Sequence, residues 1–193
     1  MEHFYTLQGE GVFTGNAAYF IRLGGCDVGC VWCDVKESWD AAQHPQMTVQ
    51  EIVDAATAHP GRLAVITGGE PAMYNLAPLN EALCNAGFRI HIETSGAYPI
   101  SGGPDWITLS PKKFKAPIAE SLEMASELKV VIYHPSDLKW AIQHAAGVRA
   151  GCKLYLQPEW SKREALTPLI IDFIKEHPEW LLSLQTHKYI NIP

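Results

Sequence analysis

The sequence predicts an α/β fold: an open, partial (β/α) barrel of about six parallel strands with reduced helical cover. Three observations predict it. Short β-branched and aromatic runs alternate with stretches of helical spacing along the chain. No repeat on the order of 20–50 residues and no low-complexity segment interrupts that alternation. The 193 residues fall short of the roughly 250 that a closed eightfold barrel takes. In chain order, AYFIRL at 18–23 is the first strand-like run, ended by Gly24 and Gly25. Thr48 then caps a helical stretch over 49–59, and LAVIT at 63–67 follows it. A second helical stretch, 75–86, stops at Gly87, the residue type that most readily makes the left-handed turn after a helix. FRIHIE at 88–93, WITL at 106–109 and LKVVIY at 128–133 are the next three runs. Helical spacing returns over 136–147, KLYLQ at 153–157 is the sixth run, and 162–177 is a helix that stops before Pro178. That last helix sets Leu166, Leu169, Ile170, Phe173 and Ile174 on one stripe. Residues 1–193 read as a single domain.

Composition narrows the function classes. With 47% apolar and 19% charged residues, the chain can bury a core without staples, which excludes a disordered tail, a disulfide-dense scaffold and a collagen-like rod. A net charge of −6 argues against nucleic acid, since only Lys112, Lys113 and Lys115 cluster among the scattered cations. No apolar run approaches the roughly 20 residues that cross a bilayer, so no membrane partner is expected. The opening MEHFYTLQGEG lacks the layout of a signal peptide, and a cytoplasmic location is the expectation.

In a parallel α/β sheet the chemistry gathers at the carboxyl ends of the strands. The runs end in GGC, TGGEP, ETSG, SPK and QPE, so five polar or glycine-rich loops converge on one rim. The first of them leads into Cys26, Cys30 and Cys33 in the string GGCDVGCVWCD. In a reducing compartment such a cluster of thiols suggests a metal site. A structural zinc site wants four ligands, generally two pairs from separate turns, whereas an iron–sulfur cube held by three cysteines leaves one iron free for an outside ligand. The spacing C-x3-C-x2-C favours the cube over zinc. His44, the nearest downstream histidine, has no partner at finger spacing. Cys84 and Cys152 sit among apolar neighbours and read as small buried hydrophobes. Of the histidines, His91 and His187 are placed near the pocket; Lys36, Glu37 and Asp40 read as a solvated face.

The string CDVGCVWC, with aromatic Trp32 before the last cysteine, resembles the signature of the radical S-adenosylmethionine superfamily, and GGEP at 68–71 resembles its glycine-rich stretch. A more specific resemblance is to the 7-carboxy-7-deazaguanine synthase family. It is carried by LQGEG at 7–11, TG at 14–15, FIRLGGC at 20–26, CDVGCVWCD at 26–34, TGGEP at 67–71, ETSG at 93–96, SPK at 110–112, QPE at 157–159 and LQTHKYINIP at 184–193. The resemblance implies a partial barrel of the radical S-adenosylmethionine type. Cys26, Cys30 and Cys33 would hold a [4Fe–4S] cluster whose open iron chelates S-adenosylmethionine. No side chain would be the catalytic group, because a 5′-deoxyadenosyl radical from the cosubstrate would attack 6-carboxy-5,6,7,8-tetrahydropterin. Ring contraction with loss of ammonia would then give 7-carboxy-7-deazaguanine, for queuosine or another 7-deazapurine.

Residue roles follow from the same resemblance. Arg22 would pair with the substrate carboxylate, a task that suits its planar fork, though an ordinary ion pair would also explain it. Leu7, Gln8, Gly9 and Thr67 would read the pterin, and Pro193 would reach its ring. Trp32, Cys33, Asp34, Gly69, Glu70, Glu93, Ser110, Pro111, Lys112, Gln157, Pro158, Glu159 and Trp160 would contact S-adenosylmethionine. The family commonly has CDT or CDS where this chain has CDV, and the missing hydroxyl is one that helps to hold Mg²⁺. Asp34 and the Val35 position therefore mark a candidate Mg²⁺ site whose side chain at 35 offers no oxygen. A flavodoxin-like or ferredoxin-like electron donor and a homodimer are implied partners. The rival reading is an activase that installs a radical on a partner protein, which would share the cysteines and GGEP but have no need of QGEG.

Overall fold

The computed structural model describes residues 2–193. Eight strands, β1 (Glu2–Leu7), β2 (Ala17–Leu23), β3 (Leu63–Gly68), β4 (Arg89–Thr94), β5 (Trp106–Leu109), β6 (Glu127–Ile132), β7 (Lys153–Pro158) and β8 (Trp180–Leu182), lie side by side in chain order. β1 is antiparallel to β2 and every later neighbour is parallel. Among the described residues β1 and β8 do not pair, so the sheet is open, as the chain length predicts. The six expected strands all form. The two extra ones are β1, whose residues run into the QGEG string, and β8, only three residues long.

Helices α1 (Val49–Thr57), α2 (Ala77–Asn85), α3 (Ala119–Met124), α4 (Asp137–Ala145) and α5 (Arg163–Glu176) lie between strands, and α6 (Thr186–Ile190) follows β8. α1 starts where the sequence places its cap: the Thr48 hydroxyl accepts from the Glu51 N–H while Glu51 reaches back to Thr48. The segment 95–105 between β4 and β5 has no helix, which is the reduced cover in physical form.

Strand periodicity decides what faces the site. Successive side chains of a strand point to opposite faces. One parity, including Tyr19, Ile21, Ile66, Ile92, Leu128, Val130 and Leu156, packs outward in two buried clusters against α1 and α2 or α4 and α5. The other parity points into the concave side. Its lower layer is apolar, with Ala18, Phe20, Leu63 and Val65 packed on Phe4 and Phe13. Its upper layer carries the polar residues of the rim.

One thiol is misread by sequence. Cys84, expected to be buried, is exposed near the end of α2, while Cys152 is half-buried and its thiol is pushed up to about 11 by burial.

Candidate active site

The concave face holds a cavity of about 330 Å³. Its wall includes Leu7, Gln8, Gly9, Arg22, Thr67 and Pro193, all three clustered cysteines, Trp32, Asp34, Val35, Gly69, Glu70, Glu93, Ser110, Lys112 and the run Gln157, Pro158, Glu159 and Trp160. Pro111 is buried between Ser110 and Lys112 and does not line the cavity. His91 lies near the cavity, as expected, but beneath its wall. It sits 2% exposed under the cavity and shares a 2.8 Å hydrogen bond with the Thr108 hydroxyl, and burial lowers its pKa to about 4. His187 does line the cavity, as expected.

The floor comes from the segment after β1. A hairpin-like pair of hydrogen bonds, Gln8 N–H to Asn16 O and Gly15 N–H to Gln8 O, both 2.8 Å, folds residues 8–16 back inward. Phe13 then packs on His91 and Trp106 from below. Gln8, 3% exposed, donates to Glu93 at 2.8 Å and accepts from the Glu10 N–H at 3.1 Å. Val12 N–H donates to Glu127 at 3.0 Å and Gly11 N–H to the Ser183 hydroxyl at 3.1 Å. Gly11 has φ +62, and a Cβ there would lie 2.1 Å from a Glu127 oxygen.

At the centre of this floor stands Lys129 of β6, 3% exposed. It pairs with Glu10 and lies 3.5 Å from Glu93. Burial alone would raise both carboxyls. The Lys129 ammonium outweighs it, lowering Glu10 and holding Glu93 down at about 2. Burial likewise works against the ammonium, but Glu10, Glu93 and Glu127 keep its pKa above the usual lysine range. Glu10 also accepts from Gln185 at 3.0 Å, and Gln185 in turn accepts from Lys188 at 3.2 Å. Lys188 donates to Asp34 at 2.7 Å, so one polar chain links the floor to the cysteine loop. None of Glu10, Lys129, Gln185 and Lys188 was singled out by sequence; the inward parity of LKVV was the one signal that could have exposed Lys129.

On the rim, Gly69 N–H donates to Leu23 O at 2.8 Å and Glu70 N–H to Gly25 O at 2.9 Å, which ties GGEP to the cysteine loop. A Cβ on Gly69 would fall 2.1 Å from Gly25 O, backbone that cannot yield. The Glu70 carboxylate, 1% exposed, accepts from Ala72 N–H, Ser95 N–H and the hydroxyls of Thr94 and Ser95. It therefore fastens the loop to the end of β4. Arg22 pairs with Glu2 at 2.9 Å and lies over the Phe4 ring. Gln157 accepts from Ser183, and Glu159 accepts from the Ser161 N–H and hydroxyl.

Burial pushes the Cys26 and Cys30 thiols toward the neutral form, and the nearby Cys33 adds to it at both. Lys112, 2.6 Å from Ser110 and over the Trp32 ring, opposes this at Cys30. Among the described residues no three His, Cys, Asp or Glu side chains converge as one ion requires. A four-iron cube instead meets separate thiolates at separate corners, and an all-sulfur set of three with no fourth donor fits it. The candidate Mg²⁺ position fits poorly: Val35 has no ligand oxygen and Asp34 is already paired with Lys188.

An open parallel sheet with a three-cysteine loop after its first parallel strand and a GG-containing loop after its second is the architecture of the radical S-adenosylmethionine superfamily, whose family profile matches residues 20–127. Two relatives are named 7-carboxy-7-deazaguanine synthase. One, from Flavobacterium psychrophilum, is 55% identical over 100% of this chain and 91% of its own length. The other, from Synechocystis, is 51% identical over 99% and 91%. The crystal structure of QueE from Escherichia coli superposes with a TM-score of 0.84 at 34% identity, covering 96% of this chain and 92% of that one. The chain belongs to the 7-carboxy-7-deazaguanine synthase family.

Proposed function

We propose that this chain is a radical S-adenosylmethionine lyase that converts 6-carboxy-5,6,7,8-tetrahydropterin to 7-carboxy-7-deazaguanine with loss of ammonia, in queuosine or 7-deazapurine biosynthesis. The observation that carries the reading is a single cavity walled both by the three cysteines and GGEP and by Gln8, Arg22, Thr67 and Pro193. The activase reading is not favoured, because relatives named as synthases match over nearly the whole chain.

Cys26, Cys30 and Cys33 would hold the [4Fe–4S] cluster. Bound there with S-adenosylmethionine, it supplies radical chemistry at carbon, which no side chain provides. The chain's own share is binding, orientation and exclusion of water. Trp32, Asp34, Ser110, Lys112 and the 157–160 run flank the cosubstrate, and the backbone of Gly69 and Glu70 takes its amino group. Leu7, Gln8 and Gly9 meet the flat pterin edge, with Gln8 locked by Glu93 so that little motion is left to lose on binding. Arg22 exchanges Glu2 for the substrate carboxylate. A flavodoxin-like or ferredoxin-like protein delivers the electron, the chain works as a homodimer, and the cytoplasm keeps its thiols reduced. No described helix is long and apolar enough to cross a membrane.

Anaerobic protein reconstituted with iron and sulfide, given a reductant, S-adenosylmethionine and the carboxylated pterin, is expected to form a product lighter than substrate by ammonia, read by mass spectrometry. Cys30→Ala should form none. Cleavage of S-adenosylmethionine without that product in the intact protein would sink the assignment.

A further inference from the structure

Besides Lys129 on the floor, two cations face the cavity on carboxylates that belong to the protein. Arg22 is held by Glu2 at 2.9 Å and Lys188 by Asp34 at 2.7 Å. Both lie near His187, whose neutral form burial favours and whose ring feels Glu10, Lys188, Asp34 and Arg22. A buried or half-buried ammonium needs its donors filled. Lys188 spends two of its three N–H groups, on Asp34 and on Gln185 at 3.2 Å, and keeps one for a ligand. It is also held against the face of Trp160, 5.4 Å from the ring centroid. Val35 makes the position after Asp34 aliphatic.

A Mg²⁺ ion needs several oxygen ligands in near-octahedral array and gives up its water reluctantly. At the candidate position the Asp34 carboxylate is paired with Lys188, and Val35 beside it has no ligand oxygen. We propose that this chain positions its substrate's carboxylate without a divalent cation, the Lys188 ammonium providing the charge next to Asp34 while Arg22 grips the same carboxylate. The substrate carboxylate takes the third Lys188 N–H, while Asp34 and Gln185 keep the other two, and it replaces Glu2 on Arg22. The inference rests on the proposed function for the identity of the ligand; the role of Lys188 rests on the ion pairs themselves.

The test uses reconstituted holoenzyme in metal-stripped buffer with and without added Mg²⁺. Turnover is followed together with equilibrium binding of the carboxylated pterin and of the tetrahydropterin lacking the carboxylate. The intact protein is expected to bind and turn over with less than about a twofold response to Mg²⁺. Lys188→Met should weaken the carboxylated ligand about tenfold, the worth of one charged hydrogen bond, and leave the other within about twofold. Lys188→Arg keeps the charge and should retain most of the affinity. A tenfold or larger Mg²⁺ requirement in the intact protein overturns the proposal. So does a Lys188→Met variant that binds both pterins as before, or one that loses both alike, which would mean a structural role. Product formed only with Mg²⁺ sinks this inference and leaves the function standing. Mg²⁺-independent, Lys188-dependent binding with no deazaguanine formed does the reverse.

Discussion

An ammonium group almost out of reach of water, Lys129, meets carboxylates from two different segments, Glu10 of the floor loop and Glu93 of β4. Removing one partner of a buried ion pair leaves an uncompensated charge, which typically costs about 3–5 kcal/mol. Lys129→Met should therefore lower the unfolding free energy read from urea denaturation by an amount of that order, and Lys129→Met with Glu10→Gln should recover part of it. The carboxyls also set an acid limit. Glu93 is held at about 2, below its value in an unfolded chain, so its contribution is present above roughly pH 4.5 and fades as pH falls toward 2. His91 acts in a higher window. Its folded pKa of about 4 lies below the unfolded value near 6.5, so the unfolded state binds the extra proton and stability drops as pH falls from about 6.5 to 4. His91→Gln should flatten that part of the profile in denaturation measured across pH. Some of these residues were legible and some were not. Cys26, Cys30 and Cys33 stand in a local string whose thiols suggest a metal site, and Arg22 stands out through the family resemblance. Lys129 and Lys188 have meaning only through partners from other elements, which no local string displays.

At the scale of elements, the segment 8–16 does what a strand-by-strand reading overlooks. The string at 7–11 reads as glycine-rich, with Leu7, Gln8 and Gly9 meeting the ligand, yet the backbone that follows folds under the cavity, and the N–H groups of Gly11 and Val12 are taken by Ser183 and Glu127. Gly11→Ala forces a Cβ into Glu127 at a left-handed φ, and is expected to cost on the order of 1–3 kcal/mol and to raise the KM for the pterin more than that for S-adenosylmethionine. Equal effects on both constants would argue that the loop supports the whole cavity rather than its pterin side. The six central strands were legible because β-branched runs bounded by turn residues have few other uses. β1 was missed because HFYTL carries its pattern into QGEG without a break, and β8 because three residues are too few to show a period. Helix α6, five residues long, escaped for the same reason.

For the molecule as a whole, the fold class followed from alternation and length together, and the openness of the sheet followed from length alone. What neither quantity contains is how the gap between β1 and β8 is filled. Thr186 N–H donates to Gly9 O at 2.9 Å and Gln185 donates to Glu10, so the stretch after β8 closes onto the floor loop. Iron content offers a test that spans the molecule. Cys30→Ala should fall from about four irons per chain to near zero. Lys129→Met, whose site lies on the floor, should keep most of its iron while losing affinity for the pterin. Parallel loss in both would mean that cluster loop and floor form one cooperative unit.

The floor amides have a consequence for motion. The N–H groups of Gly11 and Val12 are sheltered by Ser183 and Glu127, side chains more than a hundred positions further along the chain, and no neighbouring strand ladder backs them up. In deuterium these amides should exchange well before those of β3 and β4, and a bound pterin should slow them more than it slows any amide of the sheet.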